Sequence, residues 1–266
     1  MKNNSGVSSG VRAFGAFPPI MRATTSVLSS AGAALPSSLR GLLLRARAFC
    51  FDVDSTVITT EGIDELAGFA GKREAVSALT ASAMGGATPF HEALDARLRL
   101  IAPTAPMLAA FLAAHPFALT PGVAAVVARL HARGTHVYLV SGGFTQMIHP
   151  VADALAVPRD RVLANTILFH PPGGGGGGGG GGGYAGVDPH APTRRDGGKA
   201  EALARRKAAH GYEEMVMVGD GATDLQAKPP ADAVLGYGGV VERAAVVKGA
   251  CWFFRDFEKE LLPLLG

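Results

Sequence analysis

The sequence predicts an α/β protein built on a doubly wound parallel sheet, with a helical segment inserted after the first strand. Short apolar runs of the kind that form buried strands stand at 48–53, 136–140 and 215–218. Helical patterns alternate with these runs at 122–133, 145–155 and 199–209. This alternation is typical of strands that lie parallel in one sheet and are joined by helices.

A long helical stretch separates the first strand from the second. Between residues 63 and 112 the apolar residues recur mostly at intervals of three or four, and no run resembles a strand. We expect residues 59–118 to form a helical cap, and residues 39–58 and 119–266 to form the core that carries the sheet. A cap in this position excludes water from a crevice and supplies side chains that recognise a ligand.

Glycines fill positions 173–183 without interruption. A phosphate-binding loop requires a strand, a shaped turn and a helix start in that order, and no helix start follows the run. Instead, the run separates residues 166–170 from residues 184–187, which have the composition of two hairpin strands. We therefore predict a flexible glycine loop at the tip of a hairpin.

The charge of the chain is distributed unevenly. With 25 basic and 22 acidic residues the formal net charge is +3 and the pI is about 9.0. Residues 1–51 hold six of the basic residues and no acidic one, which leaves 19 basic against 22 acidic residues in the remainder. The basic pI therefore reflects the N-terminus, and we expect no nucleic-acid partner.

Residues 1–38 are rich in Ser, Ala, Gly and Arg, which favours an organellar transit peptide over a secretory signal. An ordinary disordered extension is the alternative. No stretch of 18 continuous apolar residues occurs, so we expect no membrane span. The two cysteines, Cys50 and Cys251, favour packing roles in a reducing compartment over a disulfide framework.

Polar residues follow each of the three predicted strands. Asp52 and Asp54 lie at the end of the first, Ser141-Gly-Gly143 follows the second, and Asp220 with Asp224 follows the third. A single Asp-x-Asp pair is often a solvated turn, and a lone lysine such as Lys199 is often a solvated residue at a helix start. Together they predict one crevice, because the carboxyl ends of parallel strands meet at the same edge of a sheet.

The chain resembles the haloacid dehalogenase-like phosphohydrolases and, within them, the phosphoserine phosphatases. The resemblance covers about residues 39–257 and depends on the following segments: Phe51-Asp-Val-Asp-Ser-Thr-Val57, Glu61-Gly-Ile-Asp-Glu-Leu66, Ala83-Met-Gly-Gly86, Leu119-Thr-Pro-Gly122, Ser141-Gly-Gly-Phe144, Gly219-Asp-Gly-Ala-Thr-Asp224 and Pro229-Pro-Ala-Asp232. It implies a Rossmann-like parallel sheet of the haloacid dehalogenase type with a helical cap.

The resemblance also implies roles for the catalytic residues. Asp52 is expected to be the nucleophile that forms an aspartyl-phosphate, and Asp54 the acid and base that serves the leaving group and then the water. Lys199 is expected to neutralise the phosphoryl charge and to orient Asp52. These three residues are the predicted catalytic set.

The resemblance further implies a Mg²⁺ site formed by Asp52, the backbone carbonyl of Asp54, and Asp220, with Asp224 behind them. Ser141 and the N–H of Gly142 are expected to hold phosphoryl oxygens at a helix start, where Ser141 would also be the N-cap. Thr223 is expected to add a hydroxyl.

Substrate recognition is expected on the cap side. O-phospho-L-serine carries a carboxylate and an ammonium group, so its pocket requires an arginine for one and an acid for the other. The resemblance assigns these roles to Arg97 and Glu61, and assigns Met84 and Gly85 to the cap turn that closes over the ligand. Without the resemblance, Arg97 would read as part of a solvated helix face.

The expected activity is Mg²⁺-dependent hydrolysis of O-phospho-L-serine, which by family analogy is the last step of phosphorylated serine synthesis. Two alternatives stay open: a phosphatase for another small phosphomonoester, such as phosphoethanolamine or phosphothreonine, and a phosphate-sensing protein without turnover. Asp54 argues against the second, because binding alone requires no proton donor.

Resemblance to plant and algal serine-synthesis enzymes favours a chloroplast location, with mitochondrion or cytoplasm as alternatives. The family also implies a homodimer, although no feature of this sequence establishes one.

Overall fold

The computed structural model describes residue 1 and residues 35–83, 89–171 and 182–266. A six-stranded parallel sheet has the order β3-β2-β1-β6-β7-β8, and a separate antiparallel hairpin pairs β4 with β5. The strands are β1 (Ala48–Phe51), β2 (His136–Phe144), β3 (Val162–Asn165), β4 (Ile167–Phe169), β5 (Tyr184–Val187), β6 (Met215–Gly219), β7 (Ala233–Tyr237) and β8 (Trp252–Phe254). The predicted doubly wound parallel sheet is confirmed.

The first strand lies at the centre of the sheet between β2 and β6, and all four of its residues are buried. Phe49 and Phe51 join the hydrophobic cluster on one face of the sheet, whereas Ala48 and Cys50 join the cluster on the other. This division follows from the alternation of side chains along a strand. Because both faces are covered, the run is apolar at every position, as it is in parallel sheets.

Ten α-helices occur in the described part of the chain, and five of them lie between β1 and β2, of which the first four, α2 to α5, fall within residues 59–118. They are α1 (Ser37–Arg45), α2 (Gly62–Phe69), α3 (Arg73–Ala83), α4 (Phe90–Ile101), α5 (Ala105–Ala114), α6 (Val123–Ala132), α7 (Thr145–Ala154), α8 (Gly198–His210), α9 (Ala222–Leu225) and α10 (Ala244–Gly249). No described helix is long and apolar enough to cross a membrane.

Helices α2 to α5 share a third hydrophobic cluster, which residues of β2, α7 and the hairpin complete. Leu66, Leu98 and Phe111 are fully buried in it, and Phe144 and Met147 reach it from the end of β2 and the start of α7. The hairpin adds Ile167 from β4 and Val187 from β5. The cap therefore packs beside the carboxyl end of β2.

The predicted hairpin strands pair as expected, with Ile167 opposite Val187. Most of the glycine run lies outside the described residues, so its predicted flexibility stays a prediction. The same holds for most of the predicted transit peptide. Helix α1 begins at Ser37 and buries Leu39, so the first turn of α1 crosses the predicted boundary at residue 38.

Candidate active site

A cavity of about 450 Å³ opens at the carboxyl ends of β1, β2 and β6. Asp52 directly follows β1, Asp220 directly follows β6, and Lys199 is the second residue of α8. Beyond Asp52 the chain turns tightly through 53–57, where Ser55 adopts a left-handed φ of 54°. This turn directs Asp54 and Glu61 to the same cavity as Asp52.

Lys199 lies between two carboxylates. Its Nζ is 2.7 Å from Asp52 Oδ1 and 2.7 Å from Asp224 Oδ1, and all three side chains are largely or fully buried. Burial alone would lower the pKa of Lys199, but the charges of Asp224 and Asp52 outweigh it and hold the pKa above its ordinary value. Lys199 is therefore a fixed cation beside Asp52.

Three aspartates bring carboxylate oxygens within 4.8 Å of one another: Asp52, Asp220 and Asp224. Both oxygens of Asp224 are already engaged, one by Lys199 Nζ and the other by the N–H of Gly221. Asp52 Oδ2 has no hydrogen bond to any described residue. Hard oxygen donors of this kind suit Mg²⁺, so this cluster of aspartates fits the predicted ion.

The carboxyl group of Asp54 is held on both sides. Its Oδ1 accepts a hydrogen bond from the N–H of Gly62 at 2.7 Å, and its Oδ2 accepts one from the Ser141 hydroxyl at 3.1 Å. Burial, assisted by the negative charge of Glu61, raises the pKa of Asp54 to about 7. A carboxyl with this pKa can both donate and accept a proton near neutral pH.

Ser141 lies within β2, and the expectation that it is a helix N-cap is wrong. The N-cap of α7 is Phe144, and the Ser141 hydroxyl instead accepts a hydrogen bond from the N–H of Gly143 at 2.8 Å. A Cβ at position 143 would lie 3.0 Å from Asp54 Oδ2, which explains the glycine. The Ser-Gly-Gly segment is thus an extended strand end that packs against Asp54.

The structure places Gly142 on the wall of the cavity. Its carbonyl accepts a hydrogen bond from Asn165 Nδ2 at 2.7 Å. The sequence analysis missed Asn165, although it ends β3 and thus lies at the same edge of the sheet as the other site residues.

Glu61 and Arg97 face the cavity from the cap side. The Ser55 hydroxyl donates a 2.7 Å hydrogen bond to Glu61 Oε1, and Arg97 projects from α4 with its Nε donating to the Ala93 carbonyl at 3.2 Å. Burial lowers the pKa of Arg97 against the attraction of Asp64, Glu61 and Asp54, and the guanidinium keeps its charge. Met84 and Gly85, predicted for the same pocket, lie outside the described residues.

Two further groups line the cavity. Thr223 is exposed in α9, as expected for a residue that meets a ligand. Arg243, at the start of α10, contacts the Asp220 carboxylate, donates to the Asp220 carbonyl at 3.2 Å, and lies 3.6 Å from Glu61. Sequence reasoning missed Arg243; the one available signal was its place in the loop after β7, which opens at the same edge of the sheet.

A family model described as haloacid dehalogenase-like hydrolase matches residues 49–227. The phosphoserine phosphatase of Bos taurus is 47% identical over 230 residues, which cover 86% of this chain and 96% of that protein. The chloroplastic phosphoserine phosphatase of Arabidopsis thaliana is 45% identical over 236 residues, covering 88% of this chain and 77% of that protein.

Among solved structures, one described as a phospho-aspartyl intermediate analogue of phosphoserine phosphatase matches with a TM-score of 0.67 and 25% identity. The match covers 82% of this chain and 98% of that chain. By its sequence, its sheet and its strand-end aspartates, the chain belongs to the phosphoserine phosphatase family of the haloacid dehalogenase-like hydrolases.

Proposed function

We propose that this chain hydrolyses O-phospho-L-serine to L-serine and phosphate through an aspartyl-phosphate on Asp52. The observation that carries the proposal is Asp54, a carboxyl whose pKa of about 7 suits proton transfer and which lies two residues from Asp52 on the same cavity. A protein that only bound phosphate would require no such group. The similarity to the phosphoserine phosphatases supports the choice of substrate.

In the first half of the reaction, an oxygen of Asp52 attacks phosphorus and the bond between phosphorus and the serine oxygen breaks. Asp54 gives its proton to that oxygen, so L-serine leaves as a neutral alcohol. In the second half, Asp54 takes a proton from a water that attacks phosphorus, and the bond from phosphorus to Asp52 breaks. The two halves restore both carboxyl groups.

The surrounding cations and donors stabilise the phosphoryl group while it moves. Lys199 supplies a fixed positive charge next to Asp52, and the Gly142 N–H supplies a hydrogen-bond donor on the cavity wall. The Ser141 hydroxyl, which donates to Asp54 in this structure, would turn to a phosphoryl oxygen. Thr223 adds a hydroxyl from α9. Mg²⁺, held by Asp52, Asp220 and the Asp54 carbonyl, supplies charge neutralisation when bound.

Recognition of the serine part is assigned to the cap. Arg97 would bind the carboxylate and Glu61 the ammonium group, because the two charges of the ligand are opposite to theirs. By family resemblance, Met84 and Gly85 would close over the ligand. Arg243 contacts Asp220 and lies 3.6 Å from Glu61, so it places a second cation near the acid that is assigned to the ammonium group.

The test is phosphate release by the full chain, with and without Mg²⁺, from O-phospho-L-serine, phosphothreonine, phosphoethanolamine and p-nitrophenyl phosphate. We expect turnover that requires Mg²⁺, prefers O-phospho-L-serine and is abolished in Asp52→Asn. Equal turnover of all four esters would retain the aspartyl-phosphate and remove the roles of Glu61 and Arg97. No turnover of any ester would favour a phosphate-sensing protein.

We also propose that the protein works in the chloroplast, at the last step of phosphorylated serine synthesis. The acid-free composition of residues 1–51 and the chloroplastic relative support this location. A fluorescent protein fused after residue 60 should enter chloroplasts of a plant cell, and a cytoplasmic or mitochondrial signal would overturn the proposal.

A homodimer, proposed from the family alone, is tested by the sedimentation mass of the full chain.

A further inference from the structure

An ion pair joins α4 of the cap to the loop that precedes α8 of the core. Arg194 Nη2 lies 2.8 Å from Asp95 Oδ2, and the two side chains are only 25% and 24% exposed. Among the ion pairs of the described residues, one other links residues 59–118 to the rest of the chain, namely Arg243 with Glu61 at 3.6 Å. The Arg194–Asp95 pair is therefore the shorter of the two charged contacts across this boundary.

Each partner stands close to a residue that the proposed function uses. Asp95 precedes Arg97 by two residues in α4, and Arg194 precedes Lys199 by five residues in the loop that leads into α8. Asp95 and Arg97 are partly buried on a helix whose neighbouring Leu94 and Leu98 are fixed in the cap cluster. A shift of Asp95 relative to the core is thus also a shift of Arg97.

The loop that carries Arg194 packs tightly against the start of α8. A Cβ on Gly198 would lie 2.3 Å from the Pro192 carbonyl oxygen and 3.0 Å from Thr193 Cα, so the loop and the helix start share a contact that only glycine permits. Thr193 is buried and lines the active-site cavity. This packing joins the loop that carries Arg194 to the helix start that carries Lys199.

The pair is only half of a bidentate contact. Arg194 Nε and Asp95 Oδ1 are both buried, and neither has a hydrogen-bond partner among the described residues. These two atoms complement each other: a guanidinium that donates through both Nε and Nη2 to both oxygens of one carboxylate forms the strongest arrangement of the pair. Both atoms would be satisfied at once if the pair became bidentate.

We propose that Arg194 and Asp95 form a latch that sets the distance between Arg97 and Lys199, and that the latch becomes bidentate when the ligand is bound. The inference rests on the proposed function, since it assigns Arg97 to the ligand carboxylate and Lys199 to the phosphoryl group. Arg194 and Asp95 are positioning residues, because neither is assigned a contact with the substrate.

The test compares a ligand that spans both groups with one that reaches only the core. O-phospho-L-serine meets Arg97 and Lys199 together, whereas inorganic phosphate, as a competitive inhibitor, meets only the phosphoryl side. In Arg194→Ala we expect KM for O-phospho-L-serine to rise about three- to tenfold, with the inhibition constant of phosphate unchanged. The KM of Arg194→Lys should lie between those of the wild type and Arg194→Ala, because an ammonium group keeps the charge but cannot form the bidentate contact.

Coupling between the two residues is measured by a double-mutant cycle. Asp95→Ala combined with Arg194→Ala should raise KM no more than either single change, and the exchanged pair Asp95→Arg with Arg194→Asp should recover part of the loss. Arg205→Ala is the matched control, because it removes an arginine from an exposed ion pair with Glu201 inside the core. It should leave KM unchanged.

The latch is overturned if KM and the phosphate inhibition constant change together, or if Arg194→Ala lowers the melting temperature and leaves KM as it was. Backbone hydrogen exchange in α4 gives a second measure, which should be faster in Arg194→Ala than in the wild type and unchanged in Arg205→Ala. A wild type that releases no phosphate from O-phospho-L-serine would overturn the proposed function, and hydrogen exchange would still decide whether Arg194 holds α4.

Discussion

The two halves of the active site are built differently. On the phosphoryl side, Asp52, Lys199 and Asp220 are nearly or fully buried. Lys199 pairs with Asp52 and with Asp224, and Asp52 also accepts a hydrogen bond from the N–H of Val53. Asp220 accepts a hydrogen bond from the Thr56 hydroxyl and contacts Arg243. On the cap side, Glu61 and Arg97 are only partly buried, and Glu61 directly precedes α2 while Arg97 lies in α4. The first half is fixed by two strand ends and the start of α8, and the second by the packing of the cap helices against the core.

This difference matches the demands of the two tasks. Charge stabilisation during phosphoryl transfer is most effective when the groups need no rearrangement at the moment of reaction. Recognition of a small amino acid requires the ligand to enter and leave, so its binding groups must open and close around it. We therefore expect changes on the core side to affect kcat strongly, and changes on the cap side to affect KM and selectivity.

The largest effect is expected from Lys199→Met, which removes the cation between Asp52 and Asp224 and keeps a side chain of similar length. We expect kcat to fall about a thousandfold, since a fixed charge at the transferring group is lost. Steady-state phosphate release with saturating Mg²⁺ measures it. A rise in KM with kcat unchanged would contradict the assignment of kcat effects to the core half of the site.

Lys207→Met is the matched control for Lys199→Met. Lys207 lies in the same helix and its Nζ is 2.7 Å from Asp232 Oδ2, away from the cavity. This partly buried pair should contribute about 1 kcal/mol to the free energy of unfolding and nothing to kcat. Urea unfolding at equilibrium measures the first quantity, and the phosphate assay the second.

A second prediction concerns pH and Asp54. Because its pKa is raised to about 7, Asp54 stays protonated below that pH and can donate to the leaving oxygen. Above that pH the protonated fraction falls tenfold per unit, so the rate of L-serine release in a single turnover should fall in the same way. Asp54→Asn should remove this inflection and lower the rate about a hundredfold.

Glu65→Gln provides the control for the pH profile, because Glu65 pairs with Arg73 on the cap surface. Its inflection should match that of the wild type. If Asp54→Asn kept the wild-type inflection, another group would be the proton donor.

The strand-end half of the site could be predicted from the sequence. Asp52 and Asp220 each follow an apolar run of four or more residues, and parallel strands bring their carboxyl ends together whatever the loops do. The helical character of residues 63–112 could be predicted from hydrophobic periodicity, but its division into four helices could not. The hairpin could be predicted from the two strand-like segments on either side of the glycine run. These features depend on short stretches of chain.

The remaining contacts depend on residues far apart in the chain. Arg243 meets Asp220 across 23 positions, and Arg194 meets Asp95 across 99 positions. No periodicity or spacing encodes such pairs, because they arise only when loops settle against helices. Ser141 was misassigned as an N-cap for a related reason: β2 continues to Phe144, and its last residues do not differ in composition from a helix start.

The third prediction tests the cap side through Arg97→Ala. Loss of the guanidinium leaves the ligand carboxylate without its partner, so kcat/KM for O-phospho-L-serine should fall about a hundredfold, mainly through KM. The inhibition constant of inorganic phosphate should stay constant. Arg99→Ala, an exposed neighbour in the same helix, is the control and should change neither value. A large fall in kcat with KM unchanged would contradict the division between the two halves.

The smallest effect is expected from Ser55→Ala, which removes the hydroxyl that orients Glu61. Ser55 is buried and donates to Glu61 Oε1 at 2.7 Å, while Glu61 itself remains partly exposed, so water can replace the lost donor. We expect KM for O-phospho-L-serine to rise about two- to tenfold with kcat within a factor of two, as one hydrogen bond to a charged group is lost. Ser77→Ala, on the exposed surface of α3, should leave KM unchanged. A fall in kcat to the level of Lys199→Met would place Ser55 with the core half, because it would mean that the turn after Asp52, and not Glu61, depends on this hydroxyl.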